Sequence, residues 1–279
     1  MQFRKVHGLG NDFVMVDLLK DKDYPRADLS SLAGKACHRQ LGVGADGLVL
    51  ILPDEQADAR MRIFNPDGSE PQMCGNAIRC VARYLFEQGI VPRERIRINT
   101  LAGIILPEII LQDGKFAAVK VDMGEPRLER REIPMAGPPG QVINEPLTVN
   151  DHVWQVTAVS MGNPHCLVFV GDPEAVPLAE WGPQIENHPS FPERTNVEFV
   201  QVLSRTEIKM RVWERGAGAT LACGTGSCAT LVGCALNGLT DRKAAVHLAL
   251  GALFIDWAKD NHVYMTGPAE EVFRGDFPV

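Results

Sequence analysis

Cys74 and Cys223 are each followed by glycine, and each opens an apolar run that ends at another glycine fifteen positions on, Gly89 and Gly238. Upstream the likeness continues: Met61-Arg62-Ile63-Phe64-Asn65 mirrors Met210-Arg211-Val212-Trp213-Glu214, so Asn65 and Glu214 each precede their cysteine by nine residues. All these pairs share an offset of 149 positions, the mark of an internal duplication. A cysteine at a helix start meets unpaired amide N–H groups and the positive end of the helix dipole. Such settings lower a thiol from about 8.5 into the range of roughly 3.5–7.5. The same amides, at Gly75 and Asn76 and at Gly224 and Thr225, can hold a carboxylate. Two opposed thiols, one ionised and one protonated, suit the inversion of a carbon stereocentre. One removes a proton from one face and the other returns a proton to the opposite face.

The remaining five of the seven cysteines, Cys37, Cys80, Cys166, Cys228 and Cys234, read as small buried hydrophobes. Packing alone would tolerate Ala, Val or Ser in one copy of the duplicated pair, which favours chemistry at Cys74 and Cys223. No Cys-x-x-Cys or Cys/His cluster has zinc-ligand spacing. Gly42-Val43-Gly44-Ala45-Asp46-Gly47 precedes a strand and lacks a Lys-Ser/Thr ending, so it reads as a turn and not a phosphate loop. Its first five residues, Gly42 to Asp46, pair loosely with Arg194-Thr195-Asn196-Val197-Glu198, and Gly10-Asn11 pairs with Gly162-Asn163. The glycines around Asn11 permit a tight turn that leaves its side chain free.

These residues need elements to carry them. Phe3–Val6, Phe13–Val16, Leu48–Ile51 and Arg60–Phe64 read as strands, Leu29–Cys37 as a short helix, and Arg95–Leu111 and Phe116–Met123 as further strands. In the helix after Cys74, Ile78, Val81, Ala82, Leu85 and Phe86 share one face, with Arg79, Arg83 and Glu87 elsewhere. Its counterpart is apolar nearly all round from Cys228 to Leu236, as expected of a helix wrapped by other elements. The expected fold is α/β (α+β): two pseudo-symmetric domains, each a strand barrel or curled sheet around a central helix, with the active site in the cleft between them. The expected domains are residues 1–119 plus 268–279, around Cys74, and residues 120–267, around Cys223.

The length of 279 residues suits two domains that each bury a core. A net charge of −7 argues against a nucleic-acid partner, and no dense basic run suggests a membrane surface. The N-terminal residues lack the apolar stretch of a signal peptide, and no run approaches the roughly 20 apolar residues of a bilayer span. The expected location is cytoplasmic, where the cysteines are thiols.

Taken together, Asn65-Pro66-Asp67-Gly68-Ser69 leading to Met73-Cys74-Gly75-Asn76, Met161-Gly162-Asn163-Pro164-His165, Arg194 to Glu198, and Trp213-Glu214-Arg215-Gly216 leading to Ala222-Cys223-Gly224-Thr225-Gly226 resemble diaminopimelate epimerase over nearly the whole chain. The resemblance implies cofactor-independent interconversion of LL- and meso-diaminopimelate, in lysine and peptidoglycan-precursor synthesis, by a possible homodimer. It implies that Cys74 is the proton donor and Cys223 the acceptor in that direction, with His165 and Glu214 tuning the thiols. Asn11, Asn65, Asn163, Asn196, Glu214 and Arg215 would contact the substrate, and Gly75, Asn76, Gly224 and Thr225 would give amides to its reacting carboxylate. One departure stands out: many family members carry glutamine where this chain has Gly47. Two other readings remain open from the residues. A proline-racemase-like enzyme would also use two cysteines, but its small substrate leaves Asn65, Asn196 and Arg215 without a role. A thiol redox or metal-binding protein is the alternative outside the isomerases.

Overall fold

The computed structural model describes residues 1–20 and 28–278. The chain forms two compact units, residues 1–122 with 266–279, and residues 123–265.

In the first unit, β1 (Gln2–Gly8) and β2 (Asn11–Asp17) form a hairpin, α1 spans Leu29–Cys37, and β3 (Gly47–Leu52) and β4 (Ala59–Phe64) form a second hairpin. The central helix α2 (Gly75–Glu87) follows, then β5 (Ile98–Thr100), β6 (Gly103–Ile105), β7 (Glu108–Gln112) and β8 (Lys115–Asp122). The stretch expected to be strand from Arg95 to Leu111 is thus broken twice. The first break is at Leu101-Ala102, just before Gly103, where φ is +100°, and the second is at Leu106-Pro107. Among the described residues the sheet runs last strand (Glu270–Asp276)–β1–β2–β3–β4–β5–β6, with β2/β3 and β4/β5 parallel. Two helices cover this sheet. Leu48, Leu50, Val14 and Val16 pack with Leu32 and Ala33 of α1, whereas α2 packs against β1, β4, β7 and β8. Burial on both faces explains why β3 reads as an unbroken apolar run.

The second unit repeats this order. Its strands are β9 (Glu145–Val149), β10 (His152–Ser160), β11 (Pro164–Phe169), β12 (Asn196–Ser204), β13 (Glu207–Glu214), β14 (Gly218–Thr220), β15 (Lys243–Leu248), β16 (Gly251–Trp257) and β17 (Val263–Gly267). Helix α3 (Leu178–Glu186) joins β11 to its parallel neighbour β12, as α1 joins β2 to β3. Helix α4 (Gly224–Leu236) joins β13 to parallel β15, as α2 joins β4 to β5. Strands β10, β11, β12, β13, β15 and β16 all contact α4, which is why its sequence lacks a polar face.

Helix α2 has a polar side chain where the same wrapping operates. Arg79 is fully buried, not on a solvent face, and donates to the carbonyls of Pro268 and Gly75 at 3.1 Å. Both central helices stop in the same way. Gly89 (φ +66°) and Gly238 (φ +69°) adopt the left-handed conformation. The next residues, Ile90 and Leu239, donate back to Leu85 and Cys234 at 3.0 Å, completing Schellman caps.

The glycine-rich turn before β3 wraps the end of α1. Gly42 donates to His38, Val43 and Gly44 to Ala36, and Ala45 to Cys37, so these amides are spent on helix carbonyls and the turn reading stands. A β-carbon at Gly42 would lie 2.1 Å from the Lys35 carbonyl oxygen, whereas one at Gly89 would meet nothing within 4 Å. Gly89→Ala is therefore expected to cost about 1 kcal/mol through backbone strain alone. Gly42→Ala is expected to cost about 3 kcal/mol or more, because backbone must move. Urea unfolding midpoints measure both; equal midpoints for the two variants would refute the steric argument.

Candidate active site

Each central helix begins immediately after its cysteine, with Cys74 and Cys223 as extended N-cap residues (φ −137° and −122°). Their carbonyls accept the first helical bonds, from Ile78 and Ser227, at 3.0 Å. The duplicated Cys-Gly sequence is thus a duplicated helix start, with N-terminal amides that have no intrahelical acceptor.

In the first unit the β1–β2 hairpin turns through Leu9 (φ +57°) and Gly10 (φ +88°), two left-handed residues in succession, and delivers Asn11 beside α2. The Asn11 side chain is not free. Its amide donates to Asp46 Oδ2 at 2.8 Å, while its carbonyl accepts from Asn76 at 2.9 Å and lies 3.9 Å from Cys74 Sγ. Asp46 sits in a charged network. Arg39 reaches Asp46 at 2.7 Å and Asp12 at 3.1 Å, and Lys5 pairs with Asp12 at 2.5 Å. Burial raises the Asp12 carboxyl, but Lys5 and then Arg39 outweigh it and hold the group below its ordinary range. Asn65 donates to Ser69 Oγ at 2.9 Å within its turn. Gly47 starts β3 under close cover: a β-carbon there would lie 3.1 Å from the Phe64 carbonyl and 3.4 Å from the Phe13 ring.

In the second unit Asn163 plays the part of Asn11. The turn between β10 and β11 passes through Gly162 (φ +93°), and the Asn163 amide donates to Thr225 Oγ1 at 3.3 Å. Thr225 occupies the position in α4 that Asn76 occupies in α2. Its hydroxyl lies 3.5 Å from Cys223 Sγ, which also accepts from the Gly226 amide at 3.3 Å. His165 is fully buried, with Nδ1 at 2.7 Å from Glu198 and Nε2 at 3.0 Å from the Asn163 carbonyl oxygen. Glu214 takes hydrogen bonds from the Thr220 hydroxyl and the Cys223 thiol, yet burial still raises its carboxyl above the usual range. Cys223 is likewise raised, by burial first and then by the charges of Glu214 and Glu198.

Asn196 is committed to backbone: it donates to the Pro164 carbonyl at 2.8 Å and accepts from the Arg215 amide at 2.9 Å. One N–H and one lone pair remain for another partner. The Arg215 guanidinium, which donates to the Glu193 carbonyl at 3.0 Å, is thereby placed by the same loop. Glu186, absent from the sequence reading, holds this region by accepting from Trp213 at 2.7 Å and the Gly216 amide at 2.9 Å. Asp46 and Glu198 also went unassigned. Their signal was present, because both acids close the loosely paired stretches and stand 152 positions apart, the same offset as Asn11 and Asn163. Among the described residues, no cluster of three or more His, Cys, Asp or Glu side chains could hold a metal ion. No helix there is long and apolar enough to cross a membrane.

The architecture is that of a duplicated α/β class of known structures. A PhzF-family phenazine biosynthesis protein from Bacillus anthracis superposes with a TM-score of 0.72 at 19% identity, covering 99% of this chain and 98% of that one. A hydroxyproline epimerase from Agrobacterium vitis gives 0.69 at 17%, covering 99% and 90%. At such identities the likeness speaks for the fold alone. Sequence narrows the assignment: the chain matches the diaminopimelate epimerase family over residues 3–129 and 157–272. Diaminopimelate epimerase of Pelotomaculum thermopropionicum is 62% identical, covering 100% of this chain and 99% of the relative. That of Moorella thermoacetica is 60% identical over the full length of both. The chain belongs to the diaminopimelate epimerase family, whose members are isomerases.

One helix-start cysteine differs from all the others in accessibility. Cys74 is partly exposed, whereas the other six cysteines are buried. Burial also pushes the Cys37, Cys80 and Cys234 thiols up to about 12. Iodoacetamide at pH 8 is therefore expected to label Cys74 at least about tenfold faster than Cys37, Cys80 or Cys234 in the native protein. Peptide mass spectrometry reads the order, and equal labelling of all seven would contradict the burial pattern.

Proposed function

We propose that this protein interconverts LL- and meso-diaminopimelate through Cys74 and Cys223, without a cofactor, in the lysine and peptidoglycan-precursor pathway of the cytoplasm. The observation that carries the reading is the repeated helix start. Each unit ends a strand, places a cysteine at the N-cap and opens a helix at Gly75 or Gly224. Family membership over the full chain supports the substrate.

In the LL-to-meso direction Cys223 first gives its proton to Glu214, which already accepts a hydrogen bond from that thiol and whose carboxyl is lifted by burial. The Gly226 amide and Thr225 hydroxyl then support the thiolate sulfur. Cys223 thiolate takes the α-proton, the electron pair moves into the carboxylate, and Cys74 returns a proton to the other face of the carbon. The amides at Gly75, Asn76, Gly224 and Thr225 stabilise the negative charge that builds on the carboxylate. Asn11, Asn65, Asn163, Asn196, Glu214 and Arg215 bind the polar ends of the diamino diacid, with the Arg215 fork suited to the distal carboxylate. The roles of the thiols exchange in reverse, and the active form is a homodimer.

Cys74→Ala and Cys223→Ala are each expected to lower kcat by roughly a thousandfold or more, since general acid–base groups contribute about 10²–10⁴. In deuterated water, the first meso product formed by the wild type should carry deuterium at the inverted carbon while recovered LL substrate stays largely protiated. Early product that keeps its original hydrogen would exclude two separate bases.

A further inference from the structure

Three elements meet around the guanidinium of Arg79, which is fully buried. Its Nε donates to the Pro268 carbonyl, just before the last strand, at 3.1 Å. Its Nη1 donates to the carbonyl of Gly75, the first residue of α2, at 3.1 Å. Its Nη2 packs against the end of β1, where a β-carbon at Gly8 would stand 2.7 Å from it and 3.3 Å from Asn76 Cβ. Gly8 leads directly into the Leu9-Gly10 turn that delivers Asn11. An arginine keeps its charge at any working pH, so a permanent cation sits behind the start of α2.

The bond to Gly75 has a chemical consequence. The Gly75 carbonyl and the Asn76 N–H belong to one peptide unit. In an α-helix that carbonyl receives the N–H four residues on, here that of Arg79 itself. The guanidinium adds a second, charged donor to the same oxygen. Donation to a carbonyl polarises the peptide and makes the N–H across it a stronger donor. The Asn76 N–H is one of the amides that have no acceptor within the helix. The duplicate differs at this point. The offset of 149 places Cys228 opposite Arg79, and a cysteine has no cationic form. In α4 the donor behind the first peptide is neutral: Ser227 Oγ donates to the Cys223 carbonyl at 2.9 Å.

We propose that Arg79 is a positioning residue that polarises the Gly75–Asn76 peptide from behind, making the start of α2 the stronger of the two anion-binding helix ends. The inference rests on reading the Gly75 and Asn76 amides as part of the cradle of the reacting carboxylate. Removal of the α-proton moves an electron pair into that carboxylate, so its negative charge grows during the reaction. A donor strengthened in advance stabilises that charge without reorganisation. The cation is felt within the helix. Burial pushes the Cys80 thiol up to about 12, and Arg79 is the foremost influence opposing it. A buried guanidinium also carries a desolvation cost that an apolar side chain does not, which points to a role beyond packing.

The test uses two alkylating reagents of like chemistry and different charge, iodoacetate and iodoacetamide, on the substrate-free protein. The ratio of their rates at Cys74 cancels the ionisation and exposure of that thiol. It reports how well the helix start attracts a carboxylate. Lys5, Asp12, Arg39 and Asp46, the charged groups around Asn11, are common to every variant. Arg79→Gln is expected to lower the iodoacetate-to-iodoacetamide ratio by about fivefold, less than a direct charged hydrogen bond would give because Arg79 acts through the peptide. Arg79→Lys keeps the charge and is expected to hold the ratio within about twofold of wild type. With diaminopimelate, Arg79→Gln should lower kcat by a larger factor than it raises KM, since charge on the carboxylate is greatest in the transition state. An Arg79→Gln ratio indistinguishable from wild type overturns the proposal. So does an equal loss in Arg79→Lys, which would mark a packing role. If circular dichroism shows that Arg79→Gln does not fold, NMR of the wild-type protein carries the test. The Gly75 carbonyl carbon must then resonate downfield of its α4 counterpart, Gly224, and no downfield displacement overturns the proposal. Neither the labelling ratio nor the resonance needs turnover, so a wild type that failed to epimerise diaminopimelate would sink the proposed reaction without deciding this point.

Discussion

A hydrogen bond between a turn asparagine and the second residue of a buried helix organises each half of this protein: Asn11 with Asn76, and Asn163 with Thr225. A helix wrapped by strands has little freedom to shift, and its N-terminal amides must find acceptors or stay available for a ligand. Tying the first turn to a neighbouring hairpin fixes where those amides and the preceding cysteine point. The left-handed residues at Leu9 and Gly10 and at Gly162 bring the asparagine to that position.

The same constraint explains the polar groups inside each unit. Lys5, Asp12, Arg39 and Asp46 form a connected set, so each charge near the turn has a partner and Asn11 is oriented by charge-assisted bonds. His165 and Glu198 do this for Asn163 with the added ring. Arg79 has a different task, bonding the Pro268 carbonyl near the returning last strand and the Gly75 carbonyl in the first turn of α2. These contacts order the helix start, whose amides the proposed reaction uses to hold the substrate carboxylate.

Much of this was legible before any coordinates. The offset of 149 residues marked the two halves, and the Cys-Gly starts and the glycines after each helix marked its ends. Helix α1 falls where periodicity put it, at Leu29–Cys37. Strand limits between Arg95 and Leu111 were harder to read, because a tight turn before Gly103 and a proline at Pro107 interrupt a run rich in isoleucine on both sides. Periodicity placed Arg79 only off the apolar face, and its full burial was not legible because the helical pattern cannot register nearby backbone carbonyls.

The sequence by itself determined the duplication, the class of elements and the two cysteines, since repeats and periodic burial are properties of residue order. Only the tertiary structure decided that Asn11 is held and not free, that Asn196 serves backbone, and that Asp46 and Glu198 are equivalent anchors. Which end of each asparagine amide faces its helix depends on partners 35 or 33 residues away along the chain, as Asp46 is from Asn11 and Glu198 from His165. Strand pairing brings those partners together, and orientation follows from which donors and acceptors then meet.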